Sequence, residues 1–357
     1  MYQTGDYLPW FTMQTTAGLK FVLEKLGGRY VVLCFFGSTA NPFSRRVLDG
    51  IESNRERFNG HDMVFVGVSF DPKDATLQAG WEQAVYLCDS TGGLGRMQEV
   101  ISKDGTQFQP QTIILDPMLR VASTLPFAGE PDDYMRKLQG ALNALPPLES
   151  LTGHAPIIIL PNVFEPEFCR ALINLYEQHG GRETGGLMDK GGQTVRIIDH
   201  DLKSRSDHAI VEQNIKEAAL WRISRRLVPE VQRAFQFKAE CVERHIVACY
   251  DAATQGHFSA HRDNTTPLSA YRKFAVTLNL NAEEYEGGDL CFPEYGTRLY
   301  RCPTGGAVVF SCTLRHEAKP VTKGRRYVYL PFLYDRAGHQ QYVAAHRQVF
   351  PESHPDG

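Results

Sequence analysis

In the segment HFSAHRDN, His261 and Asp263 stand two residues apart. On an extended chain alternate side chains leave the same face, so an imidazole and a carboxylate at this spacing can grip one cation. A third ligand must come from elsewhere. His316 follows soon after the apolar run GGAVVFSC, and a histidine at such a strand end can reach the interior of a sheet structure. Two imidazoles and one carboxylate leave three neighbouring positions open on an octahedral metal, which suits Fe(II) when a co-substrate and O2 must both coordinate. The same ligands can hold Zn2+ with an activated water, but hydrolysis would want a general base, and no HExxH or equivalent is present. Ten residues after His316, Arg326 opens the next apolar strand in RHEAKPVTKGRRYVYL. A buried guanidinium is costly unless paired, and its fork matches a carboxylate, which a dicarboxylate co-substrate would supply. Arg325 is the rival: Tyr327 and Tyr329 alternate with Val328 and Leu330, so strand parity leaves either face open to burial. His245 and His257 lie nearby without fitting the third-ligand spacing.

These residues need strands to hold them. CVERHIVACYD, YRKFAVTLNLN, DLCFPEY, GGAVVFSC and RRYVYLPFLYD are separated by Gly, Pro, Asn and Asp clusters, a pattern that predicts an antiparallel sandwich or barrel. Before them come a short strand, PIIIL, a helix over 165–178 and one long helix near 211–235. The Gly-rich polar stretch 181–208 reads as a long loop framing the entrance. Residues 29–122 have a different grammar: RYVVLCFFG, PFSRRVLDGIESNRERF, MVFVGVSFD, KDATLQAGWEQA, VYLCD and QTIILDPMLRVA read as βαβαββ. Continuous apolar strands between amphipathic helices imply a central sheet covered on both faces. A last helix, PDDYMRKLQGALNAL, stops at Pro146 and Pro147. The division is therefore 1–145, a linker over 146–155, and 156–357.

Composition bounds the function. A net charge of −3 over 357 residues leaves no global positive field for nucleic acid or an anionic membrane. No apolar run is long enough for a membrane span, and MYQTGDYLPW lacks the charged and apolar regions of a signal peptide. The eight cysteines form no CxxC pair and sit mostly in apolar runs, as small buried hydrophobes do. The expectation is a cytoplasmic protein with neither nucleic-acid nor membrane partners.

Residues 156–335 resemble the prolyl 4-hydroxylase group of 2-oxoglutarate oxygenases. The resemblance rests on Tyr250 upstream of HFSAHRD, Asn279 ending TLNLN, Gly287 and Gly288 before DLCFPEYG, and HxxxPVxxGxR from His316 to Arg326. It implies a double-stranded β-helix (jelly-roll) with flanking helices, and Fe(II) held by His261, Asp263 and His316. It also places the distal carboxylate of 2-oxoglutarate at Arg326, with Tyr250 and Thr277 touching the co-substrate. Asn279 and the glycine pair are expected to shape backbone turns. The implied reaction hydroxylates a C–H bond of a peptidyl, possibly prolyl, or small-molecule substrate with O2, releasing succinate and CO2, with ascorbate as reductant. Relatives that demethylate nucleic acids carry a second arginine six residues after the first, where this chain has Phe332.

GDYLPWF, RYVVLCFFGSTANPFS, VGVSFDP and QTIILDPMLRV resemble the peroxiredoxin branch of the thioredoxin fold, over residues 5–145. In that family a Thr or Ser stands three residues before a catalytic Cys that Pro follows. Here Ser38 and Pro42 match, but Asn41 occupies the Cys position, and an amide cannot attack a peroxide. The N-terminal α/β thioredoxin-like domain is then a scaffold, a docking unit for a protein partner or a substrate-presenting unit. Two alternatives to the oxygenase are a non-catalytic adaptor and a His/His/Asp zinc hydrolase.

Overall fold

Tyr30–Gly37 is an eight-residue strand buried along its whole length. In the computed structural model, which describes residues 2–151, 153–190 and 193–349, it is the middle of a five-stranded sheet. The sheet order is Ala84–Cys88, Met63–Ser69, Tyr30–Gly37, Gln111–Leu115 and Val121–Pro126; the first three run parallel and the last two antiparallel. Leu33, Phe35 and Val66 feed an apolar cluster on one face, and Cys34, Phe36 and Phe65 feed another. Helices Pro42–Ser53 and Pro131–Asn143 cover the second face through Val47, Ile51 and Leu138. Burial on both faces accounts for the unbroken apolar strands.

The helix expected over KDATLQAGWEQA does not form. Pro72–Asp74 makes a single 3-10 turn, and the chain then runs irregularly to the strand at Ala84. Asp74 is drawn away from capping, because its carboxylate accepts from Ser69 Oγ at 2.6 Å and the Thr39 amide at 2.9 Å. Leu77 and Trp81 reach the core from this irregular stretch.

Chain contacts divide the protein into two units, Met1–His154 with Pro293–Thr297, and Ala155–Phe292 with Arg298–Gly357. The second unit is built on two sheets. Among the described residues the larger has nine strands, with Cys241–Glu243, Phe332–Tyr334, Phe274–Asn279, Arg325–Tyr329, Ile246–Asp251 and Ser206–Ala209 as successive neighbours. The smaller orders Lys203–Ser204, His257–His261, His316–Ala318, Leu290–Cys291 and Leu299–Tyr300. All these pairings are antiparallel, giving the jelly-roll. Side-chain alternation splits the strand Arg325–Tyr329. Tyr327 and Tyr329 join the cluster that helices Pro166–His179 and Gln213–Arg226 cover, while Val328 joins Tyr250, Ala248 and Ile246 on the inner face.

Two further expectations need correction. The single helix near 211–235 is two, Gln213–Arg226 and Val228–Phe235; Pro229 has no amide hydrogen and its ring opposes continuation of the preceding turn. The segment 181–208 is not a plain loop. It contains the hairpin of Gly186–Lys190 with Gln193–Ile197, and strands Lys203–Ser204 and Ser206–Ala209, which extend the two sheets. A C-terminal helix, Arg336–Val349, follows the last strand, and Asp335 Oδ1 accepts from the Gly338 amide at its start.

Candidate active site

The smaller sheet sets two imidazoles side by side. His261 and His316 are direct antiparallel partners, with a register irregularity between Phe258 and His261, and their ring centroids lie 4.3 Å apart. Two residues on, the Asp263 amide donates to Cys312 O at 3.0 Å, which anchors its side chain beside both rings. Asp263 Oδ1 lies 3.5 Å from His261 Nε2, and Oδ2 lies 3.4 Å from His316 Nε2. One ligand atom from each residue falls within 4.8 Å of the others, and among the described residues this is the one such His/Cys/Asp/Glu group.

The donor set fits a metal. His261 Nδ1 lies 2.8 Å from Ser259 O and His316 Nδ1 lies 3.0 Å from Leu314 O. A carbonyl only accepts, so each Nδ1 carries the proton and each Nε2 turns a lone pair toward Asp263. Phe258 stacks on His261 at 3.6 Å between centroids, and Phe310 packs against His316 at 4.5 Å. Burial and the neighbouring His261 push the His316 pKa down to about 4. The site is a carboxylate between two imidazoles, ready for a divalent cation without losing protons from His316 near neutral pH.

Arg326 and Tyr250 are cross-strand partners on the larger sheet, and both line the pocket that holds the triad. Arg326 is 3% exposed, its Nε has no hydrogen-bond partner, and among the described residues no carboxylate pairs with it. Its guanidinium lies 4.9 Å from the centre of the Tyr250 ring. Gly288 makes room for it: a Cβ there would lie 3.0 Å from Arg326 Cδ, and its φ of +68° belongs to the left-handed region. Arg325 points the other way, half exposed, with Nε 2.7 Å from Asp251 Oδ2 and Nη1 3.6 Å from Glu177 Oε1. Thr277 is buried and lines the same pocket. Asn279 holds backbone instead, donating from Nδ2 to Cys302 O at 2.6 Å.

Two pocket arginines escaped the sequence reading. Arg205 meets Asp207 through Nε–Oδ1 and Nη2–Oδ2 approaches of 2.7 and 2.8 Å, and donates to Tyr250 Oη at 3.3 Å. Arg244 also lines the pocket. Inward parity was readable at Ile246, Ala248 and Tyr250, but Arg244 sits at φ +68° in the break before that strand, so the alternation does not reach it. Arg205 carried no signal either, lying in a stretch read as a polar loop. His245 and His257 stay out of the metal group. His257 instead meets Gln255 O and Asp201 O.

In the first unit, Asn41 caps helix Pro42–Ser53, its Oδ1 accepting from the Phe43 and Ser44 amides at 2.9 and 3.2 Å. An amide therefore fills the helix N-terminus where a thiolate would be stabilised. Cys34 is fully buried, and burial pushes its pKa up to about 12.

Residues 245–334 match the 2OG-Fe(II) oxygenase superfamily and residues 4–124 match the AhpC/TSA family. A PKHD-type hydroxylase of Synechococcus sp. (strain JA-2-3B'a(2-13)) is 27% identical over 144 residues, covering 38% of this chain and 60% of the relative's length. Among solved structures, a Pseudomonas putida prolyl-4-hydroxylase is 16% identical with a TM-score of 0.39, covering 51% of this chain and 94% of that one. The peroxidoxin BcpB of Mycobacterium tuberculosis is 19% identical with a TM-score of 0.35, covering 41% and 99%. The chain thus joins a thioredoxin-like domain, in which residues 4–124 match the AhpC/TSA family, to a jelly-roll domain, in which residues 245–334 match the 2OG-Fe(II) oxygenase superfamily.

Proposed function

We propose that the protein is an Fe(II)- and 2-oxoglutarate-dependent dioxygenase that hydroxylates a C–H bond of a peptidyl, prolyl among the candidates, or small-molecule substrate. The observation that carries this reading is Arg326, a buried guanidinium without a carboxylate partner in the same pocket as a His/Asp/His group. A hydrolytic metal site gives that charge nothing to do. In the proposed assignment His261 and His316 donate Nε2 and Asp263 donates a carboxylate oxygen to Fe(II). When bound, Fe(II) and 2-oxoglutarate supply the oxidation: O2 is consumed, 2-oxoglutarate leaves as succinate and CO2, and the substrate C–H becomes C–OH.

The chain's own part is binding and exclusion. Ser259 and Leu314 carbonyls fix the ring tautomers, and Phe258 and Phe310 fix the ring planes. Arg326 meets the distal carboxylate, with Tyr250 against its flat face and Thr277 beside the same ligand. Apolar walls from Ala275, Leu290 and Leu330 keep water from the reacting atoms. Ascorbate serves as the reductant that restores Fe(II), a protein partner docks on the first domain, and the free cysteines fit the reducing cytoplasm. The PKHD-type relatives support a hydroxylase of this type.

The test is an anaerobic titration of metal-loaded protein with 2-oxoglutarate, followed by its visible charge-transfer band. Losing one partner of a desolvated ion pair costs about 2–5 kcal/mol, so Arg326→Ala should raise the 2-oxoglutarate Kd roughly thirty-fold or more. Fe(II) affinity should barely change, and Arg325→Ala should bind normally. Normal binding by both variants would sink the proposal.

A further inference from the structure

The pocket holds a second guanidinium that the proposed chemistry does not use. Arg244 donates from Nε to Leu330 O at 3.0 Å and lies over the Phe332 ring at 4.3 Å. Among the described residues it has no carboxylate partner, and its two terminal nitrogens donate to none of them. The other arginines nearby meet carboxylates: Arg205 shares Asp207 with Lys203, and Arg272 meets Glu243 at 2.6 Å. Arg244 also sits at φ +68°, a left-handed conformation that an arginine adopts only when its surroundings hold it there, and such residues cluster at ligand sites. Burial, with Arg205 and Arg272 close by, pushes its pKa down to about 10, so it stays charged in a pocket with too much positive charge.

Charge counting identifies what is missing. The count rests on the proposed metal and co-substrate. A divalent ion and Arg326 bring three positive charges, and Asp263 and the two carboxylates of 2-oxoglutarate bring three negative ones. With Arg272 matched by Glu243, and Asp207 already shared by Arg205 and Lys203, no carboxylate among the described residues is left for Arg244. We propose that Arg244 is the specificity-determining residue for the primary substrate, and that this substrate presents a single carboxylate to it. The planar fork suits a carboxylate, and a buried guanidinium gains most from a partner brought with the ligand. The carboxylate comes either from a free amino acid or from an acidic side chain in a peptide.

The experiment uses the full chain loaded with Mn(II) and saturating 2-oxoglutarate, studied by titration calorimetry. Sodium propionate should give a saturable heat that propionamide does not. Arg244→Gln should weaken propionate by roughly tenfold or more, the loss of one charge-assisted pair, while 2-oxoglutarate affinity holds. Arg244→Lys, which keeps the charge without the fork, should fall between. L-proline against prolinamide, and N-acetyl-aspartate α-methylamide against its asparagine counterpart, then tell the free amino acid from the peptide side chain; preference for either acid supports the assignment. Propionate binding no tighter than propionamide in the wild type, or unchanged in Arg244→Gln, overturns it. So does a loss of 2-oxoglutarate affinity in Arg244→Gln equal to that of Arg326→Ala, which would make Arg244 part of the co-substrate site. Failure of the dioxygenase reading appears separately, as absence of 2-oxoglutarate binding before any propionate is added.

Discussion

At the scale of single residues, the metal group is held more tightly than three side chains alone could manage. Each imidazole spends its Nδ1 proton on a backbone carbonyl two residues earlier, so ring orientation is inherited from the strand rather than from the ion. Removing one ligand should therefore leave the fold intact and empty the site. His261→Ala, Asp263→Ala and His316→Ala should each retain the wild-type circular dichroism spectrum and lose metal-dependent 2-oxoglutarate turnover. Full turnover in any one of them would remove that residue from the metal shell. Asp263→Ala should be the most damaging to cation binding, since it deletes the negative charge that both rings face. The contrast between Arg326 and Arg325 is of the same kind: adjacent residues with the same side chain, one buried without a carboxylate and one at the surface between Asp251 and Glu177.

At the scale of elements, helices Pro166–His179 and Gln213–Arg226 are tied at one point. Glu165, the residue before the first helix, accepts from Arg222 Nε at 2.6 Å and Arg226 Nη2 at 2.5 Å, while Arg226 Nη1 reaches Val163 O at 2.9 Å. Arg226 first and Arg222 second hold the Glu165 carboxyl down at about 2, below its ordinary value of 4.5. A carboxyl depressed by folding adds stability that is fully present above about pH 5 and is lost as pH falls toward 2. Glu165 is partly exposed, so solvent screening limits the effect: Glu165→Gln should cost about 1 kcal/mol at pH 7, or roughly 2–4 °C in Tm. The gap between the two proteins should shrink as pH falls from 4.5 toward 2; a gap undiminished at pH 2.5 would show that the contact is not electrostatic. Long apolar strands and the ligand spacing were legible in the sequence because burial and parity act locally. The break near Leu227 was signalled by Pro229, yet periodicity ran across it. Whether Arg325 or Arg326 faces inward was not legible, because apolar residues occupy both faces of that strand and the choice is made by its pairing with Tyr250. The hairpin within 181–208 was hidden because its polar residues obscure any alternation.

At the scale of the whole molecule, two domains have separate cores, and the proposed chemistry belongs to one of them. The first keeps the thioredoxin-like sheet but presents Asn41 as a helix cap and buries Cys34 with a raised pKa, so wild-type protein should reduce hydrogen peroxide no faster than Cys34→Ser. Faster thiol-dependent reduction by the wild type would show that the domain retains a nucleophile. All the groups proposed to bind Fe(II) and 2-oxoglutarate belong to the second unit, whose clusters around Tyr327 and around Tyr250 are distinct from those around Leu33 and Cys34 in the first. A ligand that binds one folded domain stabilises that domain alone unless the two unfold together. At a hundred times its Kd a ligand adds about 2.7 kcal/mol, which for a domain of this size corresponds to roughly 5–11 °C. Calorimetry of the full chain should therefore show two transitions, with Mn(II) and 2-oxoglutarate raising one by that amount and leaving the other in place. Asp263→Ala should abolish the shift without moving the unshifted transition. If both transitions rise together with ligand, the two units unfold as one cooperative body; if neither moves, the second unit binds no such pair.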